Sequence, residues 1–223
     1  MFSEAAVDLP FDGIAVYGNA PEKDETRRRA IGIMSDRSLP IAGRLSKIGL
    51  TVCGERSAVA GDKTAAIAEM RQFIKDLEAH SVSIRTAADK VFAYIGDADD
   101  GTAYDLFVAA ERKLYHVLPE IEAYAERIIV NHMAYESFPY AAGCTSLSGA
   151  YAALVSSVAL LKFLAVCGTA VSGSREELID ILAGAYRFVE HTDYYALSDK
   201  RSHISGSAVF ARFAMLLDAP EMI

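Results

Sequence analysis

The residues best suited to chemistry in this sequence are polar side chains that stand inside apolar stretches. Lys162 is the single charge in SLSGAYAALVSSVALLKFLAVCGTAVSGS, residues 146–174. An isolated ammonium inside such a segment is costly, so we expect it either to reach water or to meet a carboxylate from another helix. Glu190 and Glu126 are the expected partners. A cation facing a ligand cavity is the alternative role for Lys162.

His132 closes an apolar stripe that begins with Ile121, Ala125 and Ile128. A histidine in that position is more often a satisfied core residue than a metal ligand. Together with Lys162 it is also a candidate for the lining of a small-molecule cavity.

Arg187, Glu190 and His191 form a second polar group, at the end of a predicted helix whose other flank is apolar. The following TDYYALSDKR, residues 192–201, is expected to expose tyrosines beside charges, and Tyr and Arg are enriched where proteins meet. Because no nucleophile lies in the same local sequence, we interpret the group as a contact surface rather than an active site. A solvated patch is the alternative.

Complete catalytic motifs are absent, so no catalytic residue is assigned. The sequence has no GxSxG, HExxH, GxGxxG or GxxxxGK[ST] pattern. Glu111 precedes His116 by five residues, which is the wrong spacing for the Glu-x-x-His pairs of di-iron bundles. The three cysteines, Cys53, Cys144 and Cys167, are far apart, so they predict neither a local zinc site nor an iron–sulfur site.

Composition restricts the function classes further. The 223 residues are 52% hydrophobic and carry a net charge of −8, which argues against nucleic-acid binding because a basic face would be needed. The acidic N-terminus lacks the pattern of a signal peptide, and a reduced, cytoplasmic setting fits the cysteines. Residues 146–174 are long enough to cross a membrane, but Lys162 lies near their centre, so we predict a buried helix and no membrane association.

Helical periodicity dominates the chain and β-patterning is sparse, with residues 14–17 as the one short strand candidate. The sequence therefore predicts an all-α, multi-helix bundle of about eight helices with a central buried apolar helix. Asp62, Pro119 and the Ser174 capping box mark helix starts. We expect a single helical domain over residues 1–223, with an irregular lead-in at 1–21, N-terminal helices at 24–95, a C-terminal helical core at 102–219, the central helix at 147–171, a polar stretch at 192–203 and a last helix at 205–217.

Several short residue patterns follow one another in a characteristic order along the chain. They are Arg29–Ala30–Ile31, Asp36–Arg37, Pro40, Arg44–Leu45, Gly49, Val130–Asn131, Phe138–Pro139, Leu161–Lys162–Phe163–Leu164 and Phe188 to Glu190–His191. In order and spacing, over residues 26–217, the chain resembles the C-terminal helical half of the bacterial flagellin lysine N-methylase family. On this resemblance Arg37, Arg44 and Asn131 join the candidate binding or interface residues.

The resemblance implies S-adenosylmethionine-dependent methylation of flagellin lysines, by proteins whose N-terminal half carries a metal-chelating cysteine cluster. Residues 3–6 resemble the point where that half finishes, so we expect it to be absent here. The chain is then expected to be a binding portion that is not catalytically complete, to hold no cofactor, and to bind flagellin or a cysteine-rich partner domain. A stand-alone all-α small-molecule-binding protein and a self-associating, homo-oligomeric module are the alternatives.

Overall fold

The fold is known from a computed structural model of the chain. It describes residues 20–53, 62–78, 82–140, 143–171, 173–205 and 212–218. The strand candidate at 14–17 and nearly all of the lead-in at 1–21 lie outside the described residues.

The described part of the chain is helical and contains no strand, which confirms the prediction of an all-α bundle. Nine α-helices lie within the described residues, where about eight were predicted for the chain. They are α1 Ala20–Met34, α2 Ile41–Cys53, α3 Lys63–Glu78, α4 Val82–Ile95, α5 Asp100–Val117, α6 Ile121–Tyr135, α7 Leu147–Gly168, α8 Arg175–His191 and α9 Tyr194–Ser205. A short 3-10 turn, Ala214–Leu217, follows.

Helix α7 is the centre of the bundle. Its residues are apolar on all sides, and positions 149–168 are buried without a gap. Helices α2 to α6, α8, α9 and the 3-10 turn all pack against it. The helix is long and apolar enough to cross a membrane, but its most apolar window is entirely inside the protein. The prediction of a central buried helix is confirmed, with its end at Gly168 rather than at residue 171.

Polar side chains cap two of the helix starts that the sequence indicated, those at Asp62 and Ser174. Asp62 accepts a hydrogen bond from the Thr64 amide at 2.9 Å, just before α3. Ser174 accepts one from the Glu177 amide at 3.1 Å and caps α8. These bonds satisfy amides of the first turn that have no partner inside the helix. Helix positions are therefore well encoded by local sequence.

Helix α9 differs from its prediction. Residues 192–203 were expected to be a polar, non-helical stretch, but α9 begins at Tyr194. Of the last helix predicted at 205–217, residues 206–211 lie outside the described residues, 212–213 are helical and 214–217 form the 3-10 turn. Tyr194 is fully buried, and its hydroxyl donates to Ser156 Oγ on α7 at 2.9 Å. Tyr194 therefore faces α7 as a core residue, although its neighbours in the sequence are polar.

Gly49 permits the close approach of α2 to α7. A Cβ atom added at Gly49 would lie 2.6 Å from the ring of Tyr151, a contact that real structures do not tolerate. Because Tyr151 is buried on the central helix, the ring has little room to move. Gly49 is thus required by packing.

We predict that Gly49→Ala lowers the free energy of unfolding by about 1–3 kcal/mol through overpacking. Gly32→Ala is the matched control, since a Cβ atom at Gly32 would meet nothing within 4 Å. The control should gain about 0.5–1 kcal/mol from the better helix propensity of alanine. Urea denaturation measures both, and equal effects at the two positions would contradict the packing argument.

Candidate functional site

A pocket of about 240 Å³ lies beneath α6. Twelve of its seventeen lining residues are aliphatic, which makes it an apolar pocket. Helix α7 contributes Leu161 to it, α8 contributes Leu182, and the start of α2 and the 3-10 turn contribute Ile41 and Leu217. The exposed side chain of Ile179 also lines the pocket, so the pocket reaches the surface.

The pocket exists because α6 is not fully packed onto its neighbours. Ile121 at the start of α6 is buried, but Ala125 and Ile128, on the same stripe, are only partly buried and line the pocket. The small side chain of Ala125 leaves space where a larger residue would reach the core. Polar contacts at two further positions hold α6 in place.

The first polar contact is a carboxylate held by two arginines. Arg44 Nη1 and Nη2 both donate to Glu126 Oε2 at 3.2 Å, and Arg37 Nη2 lies 2.9 Å from Glu126 Oε1. Arg44 also donates to the Met34 carbonyl at 2.8 Å. Burial works against the charged carboxylate, but the arginine hydrogen bonds outweigh it and hold the pKa of Glu126 below its ordinary value. Glu126 therefore ties α6 to the α1–α2 corner.

The second polar contact joins α6, α8 and α9 through a buried histidine. His132 Nδ1 lies 2.8 Å from Glu190 Oε1, and Nε2 is in hydrogen-bond contact with the hydroxyl of Tyr195. Burial lowers the pKa of His132, and Glu190 only partly opposes this. We assign the neutral tautomer in which Nδ1–H donates to Glu190 and Nε2 accepts from Tyr195, because each nitrogen then has a suitable partner. His132 is the satisfied core residue that its stripe indicated.

A second carboxyl lies close to this contact. Burial, and then the charge of Glu190, raises the pKa of Glu136 to about 6. The hydroxyl of Tyr186 also donates to Glu190. Two carboxyls thus share one end of the α6–α8 interface, and only Glu190 has the His132 contact.

Lys162 lies in the pocket lining and is paired with Glu111 on α5. Its Nζ atom is 2.6 Å from Glu111 Oε1 and donates to the Asp218 carbonyl at 2.8 Å. The approach to Glu111 is an ion pair that is not aligned as a hydrogen bond. Lys63 Nζ holds the other oxygen, Oε2, at 3.1 Å. The predicted buried ion pair is therefore correct, although burial lowers the pKa of Lys162 and the Glu111 charge opposes this shift.

The partners predicted for Lys162 were wrong. Glu190 and Glu126 are each committed elsewhere, to His132 and to Arg37 with Arg44. Glu111 was missed, although a signal existed: it lies beside Phe107, Ala110 and Leu114 on the buried face of α5. A carboxylate on an apolar face is itself a sign that a buried cation is near.

Tyr115 and Glu122 stand beside Lys162 at one end of the pocket. The Tyr115 hydroxyl lies 3.5 Å from Lys162 Nζ and 3.5 Å from Glu122 Oε1. The Lys162 ammonium is also 5.4 Å from the centre of the Tyr115 ring. Tyr124 and Arg175 complete the polar lining of the pocket. Sequence reasoning did not single out Tyr115 or Glu122, because neither stands out until α5 and α6 meet.

The structure separates the remaining predicted residues. Asn131, Arg187 and His191 are exposed, whereas the Glu190 side chain is only 7% exposed. Glu190 therefore does not belong to a surface patch with Arg187 and His191, because its carboxylate is turned to His132 and Tyr186. The expected exposed tyrosines are wrong as well, since Tyr194 and Tyr195 are buried. The proposed cavity around both Lys162 and His132 holds only Lys162.

The described residues provide no obvious place for a metal ion. No group of three His, Cys, Asp or Glu side chains in that part of the chain is arranged to hold one. Cys144 and Cys167 are both buried, and burial raises the pKa of the Cys167 thiol well above its ordinary value. These cysteines act as small core residues.

We predict that Glu111→Gln lowers the free energy of unfolding by about 3–5 kcal/mol, because Lys162 and Lys63 would face each other without their shared anion. Lys162→Met should lower the free energy of unfolding clearly less, since Glu111 keeps its ion pair with Lys63. Urea denaturation compares the two variants. Glu25→Gln, in an exposed pair with Arg29, is the control and should be near neutral. Equal losses for Glu111→Gln and Glu25→Gln would refute the shared-anion arrangement.

We predict that the Glu136→Gln variant gains stability relative to the parent protein as the pH rises. Folding raises the pKa of Glu136 from 4.5 to about 6, so its stabilising contribution is present below the unfolded value and is lost as pH rises through the folded value. Relative to the parent, the variant should gain stability between about pH 4 and pH 7.5. His132 titrates in both the variant and the parent, so its contribution cancels from the difference in their free energies of unfolding. A pH-independent difference in urea denaturation would contradict this, and Glu120→Gln, at an exposed position, is the control.

More than half of the chain matches a protein-family model. Residues 62–199 match the model described as the FliB lysine N-methylase C-terminal domain. No curated protein and no solved structure matches. The matched segment contains Glu111, His132, Lys162 and Glu190, whereas the patterns between Arg29 and Gly49 that carried part of the resemblance lie before it. Because 138 of the 223 residues are matched, the chain belongs to the family of the FliB lysine N-methylase C-terminal domain.

Proposed function

We propose that this chain is the C-terminal, substrate- or partner-binding part of a FliB-like lysine N-methylase, and that the pocket beneath α6 receives a side chain of the bound protein. The pocket is the single observation that carries the proposal. It is apolar, reaches the surface, and is lined mainly by residues of the family-matched segment. Apolar pockets with a few polar groups are the usual binding sites of proteins.

The described residues do not fit the cofactors that the family resemblance implies. At about 240 Å³ the pocket is smaller than the roughly 300–1,000 Å³ of pockets that hold larger ligands such as S-adenosylmethionine. Cys144 and Cys167 belong to different parts of the core, and both are buried. We therefore derive no methyl-transfer step from these residues, and the role proposed for the chain is binding.

Flagellin is the proposed partner, and a cysteine-rich protein or domain is the second. A partner side chain entering the pocket would pack between α6 and α8 on the surface of α7. A roughly 150 Å³ apolar cavity already binds benzene, so this pocket has room for one long side chain. The exposed Ile179 and Tyr124 at the pocket would contribute further apolar contact.

A small-molecule-binding protein is the second candidate function, and the size of the same pocket favours it. In that case, an apolar ligand with a polar group near Tyr115 and Glu122 would be retained by the purified chain. Binding of flagellin separates the two candidates. Self-association, measured by sedimentation at several concentrations, addresses the homo-oligomer alternative.

We predict that Ala125→Leu weakens flagellin binding at least about tenfold, because the larger side chain fills the pocket. The change should keep or raise stability, since it fills apolar space with a good helix former. Ala123→Leu is the matched control, because the same substitution on an exposed position of α6 leaves the pocket unchanged. Calorimetric titration with flagellin from the same organism measures binding. No binding by the parent chain, or equal binding by Ala125→Leu, would overturn the proposal.

A further inference from the structure

A second concave surface lies between α1 and α6. Its volume is about 140 Å³, and it shares no lining residue with the pocket beneath α6. On each helix the lining residues recur at spacings of three and four, so each set lies on one face of its helix. We call this surface the α1–α6 groove. It is lined by Arg27, Ile31, Met34 and Ser35 of α1, by Val130, Met133 and Ala134 of α6, and by Phe138 after α6.

The α1–α6 groove has a buried apolar floor and exposed apolar walls. Met34, Met133 and Phe138 are at most 5% exposed, whereas Ile31 and Val130 are 51% and 46% exposed. A single exposed apolar residue is ordinary, but two that flank one apolar groove are typical of a surface that a partner covers. The groove has room for one side chain, since an apolar cavity of roughly 150 Å³ holds benzene. Methionine side chains can adapt to the shape of the bound group.

Arginines without a carboxylate partner border the groove. Arg27 is the one charged residue in the lining; it is half-buried and makes no ion pair among the described residues. Its neighbour Arg28 is exposed and donates to the backbone carbonyl of Asp24. Arg127 is exposed one turn before the groove residues of α6, and its guanidinium lies over the ring of Tyr124 rather than beside a carboxylate. Three positive charges are therefore available to a partner.

The carboxylates near the groove are mostly occupied by other contacts. Glu25 is in an ion pair within α1, Asp36 lies near a lysine of α2, and Glu126 is held by two arginines. Glu136 is half-buried at the α6–α8 interface. Among the described residues of α1, Asp24 is the exposed carboxylate without an ion pair. The groove is thus locally cationic on a chain whose net charge is −8.

We propose that the α1–α6 groove is a docking surface for an acidic amphipathic helix of a partner protein. One apolar side chain of that helix enters the groove between Ile31 and Val130, and its carboxylates pair with Arg27 and Arg127. The stripe from Arg27 to Ser35 covers about 12 Å of α1, which matches two turns of a second helix. Helices dock in such grooves through apolar residues spaced three, four and seven apart.

The helical form of the partner follows from what the groove offers. Both walls belong to helices, and the described residues contain no strand edge to which an extended peptide could add. The groove and the pocket beneath α6 share no residue, so this inference does not rest on the proposed function.

NMR titration of the full chain, with ¹³C-labelled methionine methyl groups, tests the proposal. Met34 and Met133 report on the groove, and Met70, fully buried on α3 and outside the groove, is the internal control. The probe is a peptide of about 18 residues, long enough to form a helix. It is built from alanine, leucine and glutamate, with leucines three and four positions apart and glutamates beside them. The basic control peptide has lysine in place of every glutamate.

The acidic peptide should shift the methyl signals of Met34 and Met133. At low salt it should bind at least about tenfold more tightly than the basic peptide, and added salt should reduce this ratio. Arg27→Gln should lower the ratio about threefold. Arg29→Gln is the matched control on the same helix; its charge is paired with Glu25 and lies outside the groove lining, so the ratio should change little.

The apolar contact is tested by a separate pair of variants. Ile31→Ala should weaken binding of the acidic peptide about fivefold, because a wall of the groove is lost. Leu50→Ala is the control, since Leu50 on α2 is also 51% exposed and lies outside the groove lining. Ala125→Leu, which fills the pocket beneath α6, should leave binding of the peptide unchanged.

Unmoved Met34 and Met133 signals at roughly millimolar acidic peptide would overturn the proposal. Equal binding of the acidic and basic peptides would overturn it as well. If the two signals shift with the concentration of the chain alone, and sedimentation shows a dimer, the groove is covered by a second copy and the partner helix is excluded. If octanoate binds the groove more tightly than the acidic peptide, the occupant is an anionic amphiphile and the helix proposal falls.

Discussion

The burial of α7 on every side, with one ammonium on it, is the constraint on which the rest of the structure depends. A helix that is apolar all round must be covered by its neighbours, and seven other helices with the 3-10 turn cover it here. The cost of removing Lys162 from water then requires a carboxylate at the same depth. Glu111, with no exposed surface, meets that requirement, and its second oxygen brings Lys63 of α3 to the same place. One charge on the central helix thereby fixes the relative positions of α3, α5 and α7.

Helix α6 is held by a different principle. Its stripe contains Ala125 where a larger residue would complete the apolar contact, and two polar contacts carry part of the attachment instead. Glu126 binds the arginines of the α1–α2 corner, and His132 binds Glu190 and Tyr195. Such contacts are directional, so they can position a helix without filling the space beneath it. The pocket is the consequence, and its walls lie on regular helices.

The sequence predicted the helices and their starts better than it predicted which side chains meet between helices. The all-round apolar pattern of α7 was predictable, and so were caps such as Asp62 and Ser174. These features depend only on residues that are close together in the sequence. The partner of Lys162 was not predictable, because Glu111 lies 51 positions earlier in the chain, and Glu126 and Glu190, which border apolar stripes, were expected in its place. Glu190 was placed on the surface for a related reason: a helical projection shows a border position, but not that His132 of α6 will meet it. Recognition that α9 is a helix required knowledge that Tyr194 packs against α7 and that Tyr195 contacts His132 of α6.

The family-matched segment does not contain everything that forms this site. Arg37 and Arg44 precede residue 62, yet they neutralise Glu126 on α6, within the match. Without them the carboxylate would be left partly buried and uncompensated, which disfavours the observed position of α6. Ile41 and Leu217, which line the pocket, also lie outside residues 62–199. The arginines thus do for Glu126 what Glu111 does for Lys162, and the pocket depends on residues from both sides of the matched boundary.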